Sequence, residues 1–475
     1  MSHRSLADLL AETPNVVAML HNAPGGIYVF PVVAPEFANW RSEQKAWRES
    51  AVLFDQTHHM DELTVEGPDA ARFLDYLTIN DFANFDISRA KQLVAVTSRG
   101  YVIGDVIAFR ETTDKFIVVG RAPTANWLEY NASLGTHDVV ISRDPRSPSR
   151  PDGNTVTRAH FRFQVQGPEA WRLLEAVHGG PIPELELFRV GPINIGPRTV
   201  QALRHGMAGA PGLEFWGAYQ DRDEIRATLL DAALQTGVNL VQSGTRAYSM
   251  SAVESGWIPS PLPAIYTGSD LDDYRRWLPA TSYEAFGSLA GSFVSDDIED
   301  YYVTPYELGY GRFIKTNADF VGAAALEAMK ERPQRKRVTF EWNADDVLAV
   351  VASSFHPGET AYKWIDFPQP NYGATTADRV MDGATVVGMS MYNGYSYNER
   401  TMLSLGVIDP DAQIDDEFTL VWGEPNGGSL KPSVERPHRQ AEIRVRVAPT
   451  PYSAAARENY ADGWRTGQSK RTLSP

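Results

Sequence analysis

The residues best suited to chemistry lie in four short stretches. The first is Gln56-Thr57-His58-His59, set between Asp55 and Met60. Histidine can donate, accept or titrate near neutral pH. In extended backbone the two adjacent imidazoles would point to opposite sides, so one of them should face a pocket. The other choice is local: one histidine caps backbone and the other meets solvent. The second stretch is Gly120-Arg121-Ala122-Pro123, a strand end that opens onto a helix. A guanidinium there reaches over a helix N-terminus, where anions are favoured. Its planar fork matches a carboxylate. A surface salt bridge is the plainer use of such an arginine.

The third stretch runs from His205 to Gly217, a glycine-rich turn that enters a strand and carries Glu214. A carboxylate can accept hydrogen bonds from two adjacent N–H donors. The fourth stretch is Arg246 to Trp257, with Tyr248 and Glu254. The histidines lack a third ligand at useful spacing, so no metal site is expected.

Composition narrows the classes. The 475 residues suggest roughly three domains. A hydrophobic content of 43%, with 11% aromatics, suits packed cores. The chain has no cysteine, which excludes disulfides, thiolate nucleophiles and cysteine-held zinc. A net charge of −16 opposes binding to nucleic-acid backbones or anionic membranes. No run of about 18 apolar residues suggests a membrane span. No secretory signal is visible, and a cytoplasmic location fits.

The elements that must position these residues can be sketched. Leu6 to Leu20 reads as helix, split by Pro14. Residues 27–33 read as a strand with a proline inside, and residues 43–50 as a helix. Residues 61–66 alternate as a strand, followed by a helix over 68–77. Strands are expected at 92–97, 101–109 and 115–119, and a helix over 125–134. Phe161 to Ala170 repeats the pattern of 61–70, with a strand ending in Gly-Pro-acid-Ala and entering a helix. After a charged link near 330 come short strands at 338–342, 384–391, 401–408, 417–422 and 440–447. The expected division is 1–330, 331–455 and a peripheral tail, 456–475.

The segment Asp55 to Ala70 resembles the "DxSHMxxxxVxGPDA" opening of the folate-binding aminomethyltransferase (glycine-cleavage T-protein) family. His205 to Gly217 resembles that family's "YTGEDGxE", and Arg246 to Trp257 its "ARDxLRLEAG". Pro305 to Gly311 and Asp319 to Leu326 resemble "PxExGLG…DFIGxxAL". The likeness continues into Val386-Val387-Gly388, Ser404 to Val407 and Pro449 to Tyr452. Within the superfamily, the chain looks most like the tetrahydrofolate-dependent aryl O-demethylases acting on vanillate and syringate. Tyr28 to Phe37, Gly120 to Pro123, Glu254 to Tyr266 and Gly394 to Glu399 carry that likeness.

The resemblance implies an α+β fold of three lobes: two intertwined α/β lobes with mainly antiparallel sheets, then a C-terminal β-barrel-like domain. It implies tetrahydrofolate as methyl acceptor and a lignin-derived methoxylated benzoate as donor, syringate before vanillate. It assigns Glu214 to the folate pterin, with Trp257, Gln166 and Tyr452 also on the cofactor. Arg121, Phe30, Gln56 and His59 would meet the aromatic acid. Tyr248 falls where the amine-processing relatives carry Arg, so it becomes the candidate general acid, with His59 next. Gly104-Asp105 likewise departs from the paired Asp-Asp of the aminomethyltransferases. Those enzymes, a dimethylsulfoniopropionate-type demethylase and a non-catalytic folate-binding protein are the alternatives.

Overall fold

The structure is a computed structural model that describes residues 4–25, 30–148 and 156–459. Its organisation follows from where one strand goes. Ala51–Asp55 enters a six-stranded sheet between Leu240–Ser243 and His160–Gln166. The chain then leaves to build a second sheet of five strands, in the order 89–96, 102–110, 115–120, 61–66, 140–144, all antiparallel. It returns at His160 to complete the first sheet with Gly212–Ala218, Arg198–Arg204 and Val190–Ile195. The two lobes are therefore intertwined. One parallel pair, 51–54 with 240–243, interrupts an otherwise antiparallel first sheet.

The last lobe is a closed six-stranded antiparallel barrel. Its strands run between Lys336 and Ala448, and alternate residues fill the interior, as in the buried Ile443, Val445 and Val447. Closure leaves no open edge. The protein is α+β with mainly antiparallel sheets and a barrel.

The repeated strand–helix unit is present twice. Strands Asp61–Glu66 and His160–Gln166 each end in Gly-Pro-acid and lead into helices Ala70–Leu77 and Ala170–His178. Gly67 and Gly167 have φ of 144° and 126°, conformations that side chains avoid. A Cβ at Gly167 would stand 2.5 Å from the Ser50 carbonyl oxygen. Each repeat thus needs glycine for the turn and for close backbone approach.

Several expectations change. In the 27–33 strand, residues 27–29 lie outside the described residues, and 30–33 form no strand. Strands 51–55, 190–195, 198–204 and 378–382 and helices 222–236 and 344–353 were not anticipated. The helix expected over 125–134 starts earlier, at Ala122, because Pro123 fits its first turn. Beyond residue 455 the chain still packs: Ala456 is buried, and a Cβ on Gly209 would meet it at 2.6 Å. Residues 460–475 of the expected tail lie outside the described residues. Among the described residues, no helix is long and apolar enough to cross a membrane.

Candidate active site

A cavity of about 740 Å³ lies where the two lobes and the end of the barrel meet, which is ample for small-molecule ligands. Phe30, Gln56, His59, Arg121, Glu214, Tyr248 and Trp257 all line it. Residues more than 200 positions apart thus face one space. Gln166 and Tyr452 are not among its lining residues.

One corner is aromatic. The Tyr248 hydroxyl lies 3.4 Å from His59 Nε2. Phe30 packs on both rings, with centroids 4.8 Å from His59 and 5.3 Å from Tyr248. Phe54 closes the other side of Tyr248 at 5.2 Å. Burial raises the Tyr248 pKa well above that of a free phenol, helped by the charge of Glu214. Burial also holds the His59 imidazole down at about 3, with Arg121 and Arg146 adding to it. His59 is therefore neutral at physiological pH. His58 turns away: its Nδ1 meets Ser147 Oγ at 2.9 Å. One histidine faces the pocket and one does not, although a bend rather than a strand separates them.

Tyr248 sits on the one-turn helix Thr245–Tyr248, held by a carboxylate the sequence did not flag. Glu43 is fully buried. Its Oε1 accepts from the Phe37 and Ala38 amides at 2.7 and 2.9 Å, and its Oε2 from the Gly244 amide at 2.9 Å. That clip ties the loop following Phe30 to the helix of Tyr248. Glycine is required at 244, since a Cβ there would lie 2.2 Å from the Pro35 carbonyl oxygen.

Arg121 is the N-cap residue of helix Ala122–Ser133. It donates to Ser260 Oγ, and its charge acts on His59, Tyr248, Asp105 and Tyr392. It is the cation nearest the aromatic corner in its electrostatic effect.

Glu214 ends a chain of charge. Arg162 Nη1 donates to Glu214 Oε1 at 2.7 Å, and Arg162 Nη2 to Glu62 Oε2 at 3.3 Å. Glu62 also meets His160 Nδ1 at 2.5 Å. Burial alone would raise the Glu62 carboxyl, but His160 and Arg162 outweigh it and hold it at about 2. Arg162 is buried and lies over Trp216, 4.7 Å from the ring centre. Glu214 Oε2 is less committed, with His205 Nδ1 at 3.8 Å. Arg162 was missed by sequence reasoning; an arginine inside an apolar strand was the available signal.

Gln166 has a supporting place. Its Oε1 accepts from the Met207 amide at 2.7 Å, and its Nε2 donates to the Met207 carbonyl at 3.2 Å. Both ends of its amide help to shape the loop before Glu214. Gln164 bridges it to Gln56 through bonds of 3.1 and 2.8 Å. Gln56 Oε1 is buried with no hydrogen-bond partner. A buried orphan acceptor beside a cavity suits a ligand donor.

Asp105, set aside above with the altered Asp-Asp pair, also faces the cavity. Its Oδ2 accepts from Trp257 Nε1 at 2.9 Å, Gln92 Nε2 at 2.6 Å and the Tyr310 hydroxyl at 3.0 Å. Desolvation raises its pKa, against the lowering effect of these bonds. Trp257 is thereby fixed by its indole N–H. Tyr452 instead packs in the cluster around Trp40 and Trp47, near Glu341. Its neighbours Thr450, Pro451 and Arg457 reach the cavity in its place.

Known proteins resemble this chain in sequence and fold. A family model described as "GCVT N-terminal domain" matches residues 24–260. A syringate O-demethylase of Sphingobium sp. is 46% identical over 464 residues, covering 98% of this chain and 99% of that protein. A sesamin methylene transferase of Sinomonas sp. is 30% identical over 91% of this chain and 93% of its own. The crystal structure of the glycine cleavage system aminomethyltransferase T from Bartonella henselae shares the fold, with a TM-score of 0.56. It covers 87% of this chain and 90% of its own at 16% identity. The chain belongs to the GCVT-domain family, together with the syringate O-demethylase of Sphingobium sp..

Proposed function

We propose that this protein is a tetrahydrofolate-dependent methyltransferase that O-demethylates a methoxylated benzoate, syringate before vanillate. The observation that carries the reading is the convergence of Tyr248, Arg121 and Glu214 on one cavity. The 46% identity to a syringate O-demethylase across nearly the whole chain supports it.

The residues fit the folate. Glu214 offers an acceptor to the N–H donors of an aminopyrimidinone, with Oε2 still open beside His205. Arg162 pairs with that carboxylate and orients it. When bound, tetrahydrofolate supplies the nucleophilic N5 that takes the methyl group.

Arg121 takes the benzoate carboxylate and turns the ring toward the aromatic corner. Phe30 gives that corner an apolar wall, which suits a second methoxy group and underlies the preference for syringate. Gln56 Oε1 offers an acceptor to a ring hydroxyl. Tyr248 gives its proton to the ether oxygen as the methyl–oxygen bond breaks. Without that proton a phenolate must leave into a dry pocket. Its raised pKa does not disable Tyr248, because the same desolvation raises the proton demand of the departing phenolate. One proton leaves with the phenol and one is lost at N5, so Tyr248 can recover its own. Neutral His59, in the tautomer that carries its proton on Nε2, donates to the Tyr248 oxygen and leaves the phenol proton for the ether. General-acid help of this kind is worth about 10²–10⁴-fold.

The direct experiment is incubation of the protein with tetrahydrofolate and syringate. Formation of 5-methyltetrahydrofolate and the demethylated catechol in equal amounts is expected. Turnover of a glycine-derived aminomethyl donor, with none of syringate, would favour the aminomethyltransferase reading instead.

A further inference from the structure

Of the residues that line the cavity, Gly309 and Arg312 are the exposed ones, so its mouth lies at this turn. Just inside stands Arg337, on the barrel strand Lys336–Trp342. A Cβ on Gly309 would come within 3.1 Å of Arg337 Nη2. The other groups acting on Arg337 are the Tyr310 hydroxyl and the like charge of Arg312. Among the described residues, the Arg337 guanidinium forms no hydrogen bond or ion pair, and burial lowers its pKa. Two carboxylates of the same region are taken: Glu341, four positions along the chain, pairs with Arg446, and Glu307 pairs with Arg335 at 2.5 Å. A desolvated guanidinium facing another guanidinium is costly unless an anion joins it. A third cation, Arg457, lines the same cavity, held by the Pro451 and Tyr452 carbonyls at 2.7 and 2.6 Å. This clustering runs against the overall charge of −16.

We propose that Arg337, with Arg312 at the rim, forms an anion subsite for the glutamate tail of the folate, and that it selects glutamylated over unglutamylated forms. The proposal rests on the reading of this cavity as a folate site. The benzoate carboxylate is a poorer occupant, because it belongs with Tyr248 and His59. Those two groups feel the charge of Arg121. A tail leaving through the mouth passes Arg337 and then Arg312. γ-Glutamyl units add carboxylates along that path.

Calorimetric titration of the full-length protein with tetrahydrofolate, tetrahydropteroate and tetrahydropteroyl triglutamate tests this. The parent should bind tetrahydrofolate about tenfold tighter than tetrahydropteroate, as expected for one charge-assisted contact. The triglutamate should bind tighter still, and added salt should shrink both differences. Arg337→Ala should bring the tetrahydrofolate-to-tetrahydropteroate ratio near one and leave tetrahydropteroate affinity unchanged. Arg337→Lys should restore part of the ratio, since it keeps charge without the fork. If Arg337→Ala does not fold, the ratio in the parent and its salt dependence decide the matter. Equal affinity of the parent for the two compounds overturns the subsite while leaving the folate reading intact. A rise in KM for the aromatic acid in Arg337→Ala, with the folate ratio unchanged, also overturns it. Failure of the parent to bind either compound removes the folate reading and the subsite together.

Discussion

The Tyr248 hydroxyl and His59 Nε2 are 3.4 Å apart, although 189 positions separate them in the chain. The tyrosine is kept protonated and the histidine neutral by the same desolvation. Their division of labour can be tested by removing one hydroxyl. Tyr248→Phe preserves the ring that packs on Phe30 and Phe54, so both ligands should still bind. Turnover should fall about 10²-fold or more. An aryl ether of a more acidic phenol should lose less. A variant that turns over near the parent rate would move the general acid elsewhere.

Glu214→Gln should weaken tetrahydrofolate binding about tenfold, because an acceptor becomes a donor facing a donor. It also leaves Arg162 with Glu62 alone, so thermal stability should drop modestly. Titration and melting of the same preparation separate the two effects. Unchanged folate affinity would remove Glu214 from the pterin site.

Arg121→Ala should raise KM for the benzoate by about tenfold and spare folate affinity. Steady-state kinetics with each substrate varied in turn provides the check. If folate affinity falls instead, the carboxylate lies elsewhere in the cavity.

Phe30→Tyr adds one hydroxyl to the aromatic wall. The ratio of kcat/KM for syringate over vanillate should fall several-fold, consistent with the scale of pocket discrimination. A ratio unmoved by the change would show that Phe30 does not set the preference.

The depressed histidines give a stability signature. His59 has a folded pKa of about 3 against 6.5 when unfolded, and His58 about 4. The unfolded chain binds more protons between these values, so stability rises with pH across that range. Melting temperature should therefore fall as pH drops from about 6.5 toward 3, with Glu62 adding its own loss below about 4.5. His59→Gln should flatten the upper part of that slope. A slope identical to the parent would mean that His59 titrates normally.

Local physics made much of the scaffold readable. The alternation of 61–66, the Gly-Pro-acid turns at 67–69 and 167–169, and the strands after 336 depend on neighbours within a few residues. The resemblance then brought Glu214, Arg121, Tyr248 and Trp257 forward, and each lines the cavity. The sequence could not tell that Gln166 binds Met207 through its amide, or that Tyr452 packs in the cluster that holds Trp40 and Trp47 while Arg457 reaches the cavity. Nor could it show that Asp105 secures Trp257, that Glu43 clips Gly244 to the loop after Phe30, or that Arg162 joins Glu214 to Glu62. These are pairings between groups dozens to hundreds of residues apart. The sequence by itself determined which residue types were present and which segments would turn, extend or coil. Only the tertiary structure decided which charges meet, because a buried carboxylate or guanidinium takes its partner from whatever the packing of distant strands brings within about 3 Å.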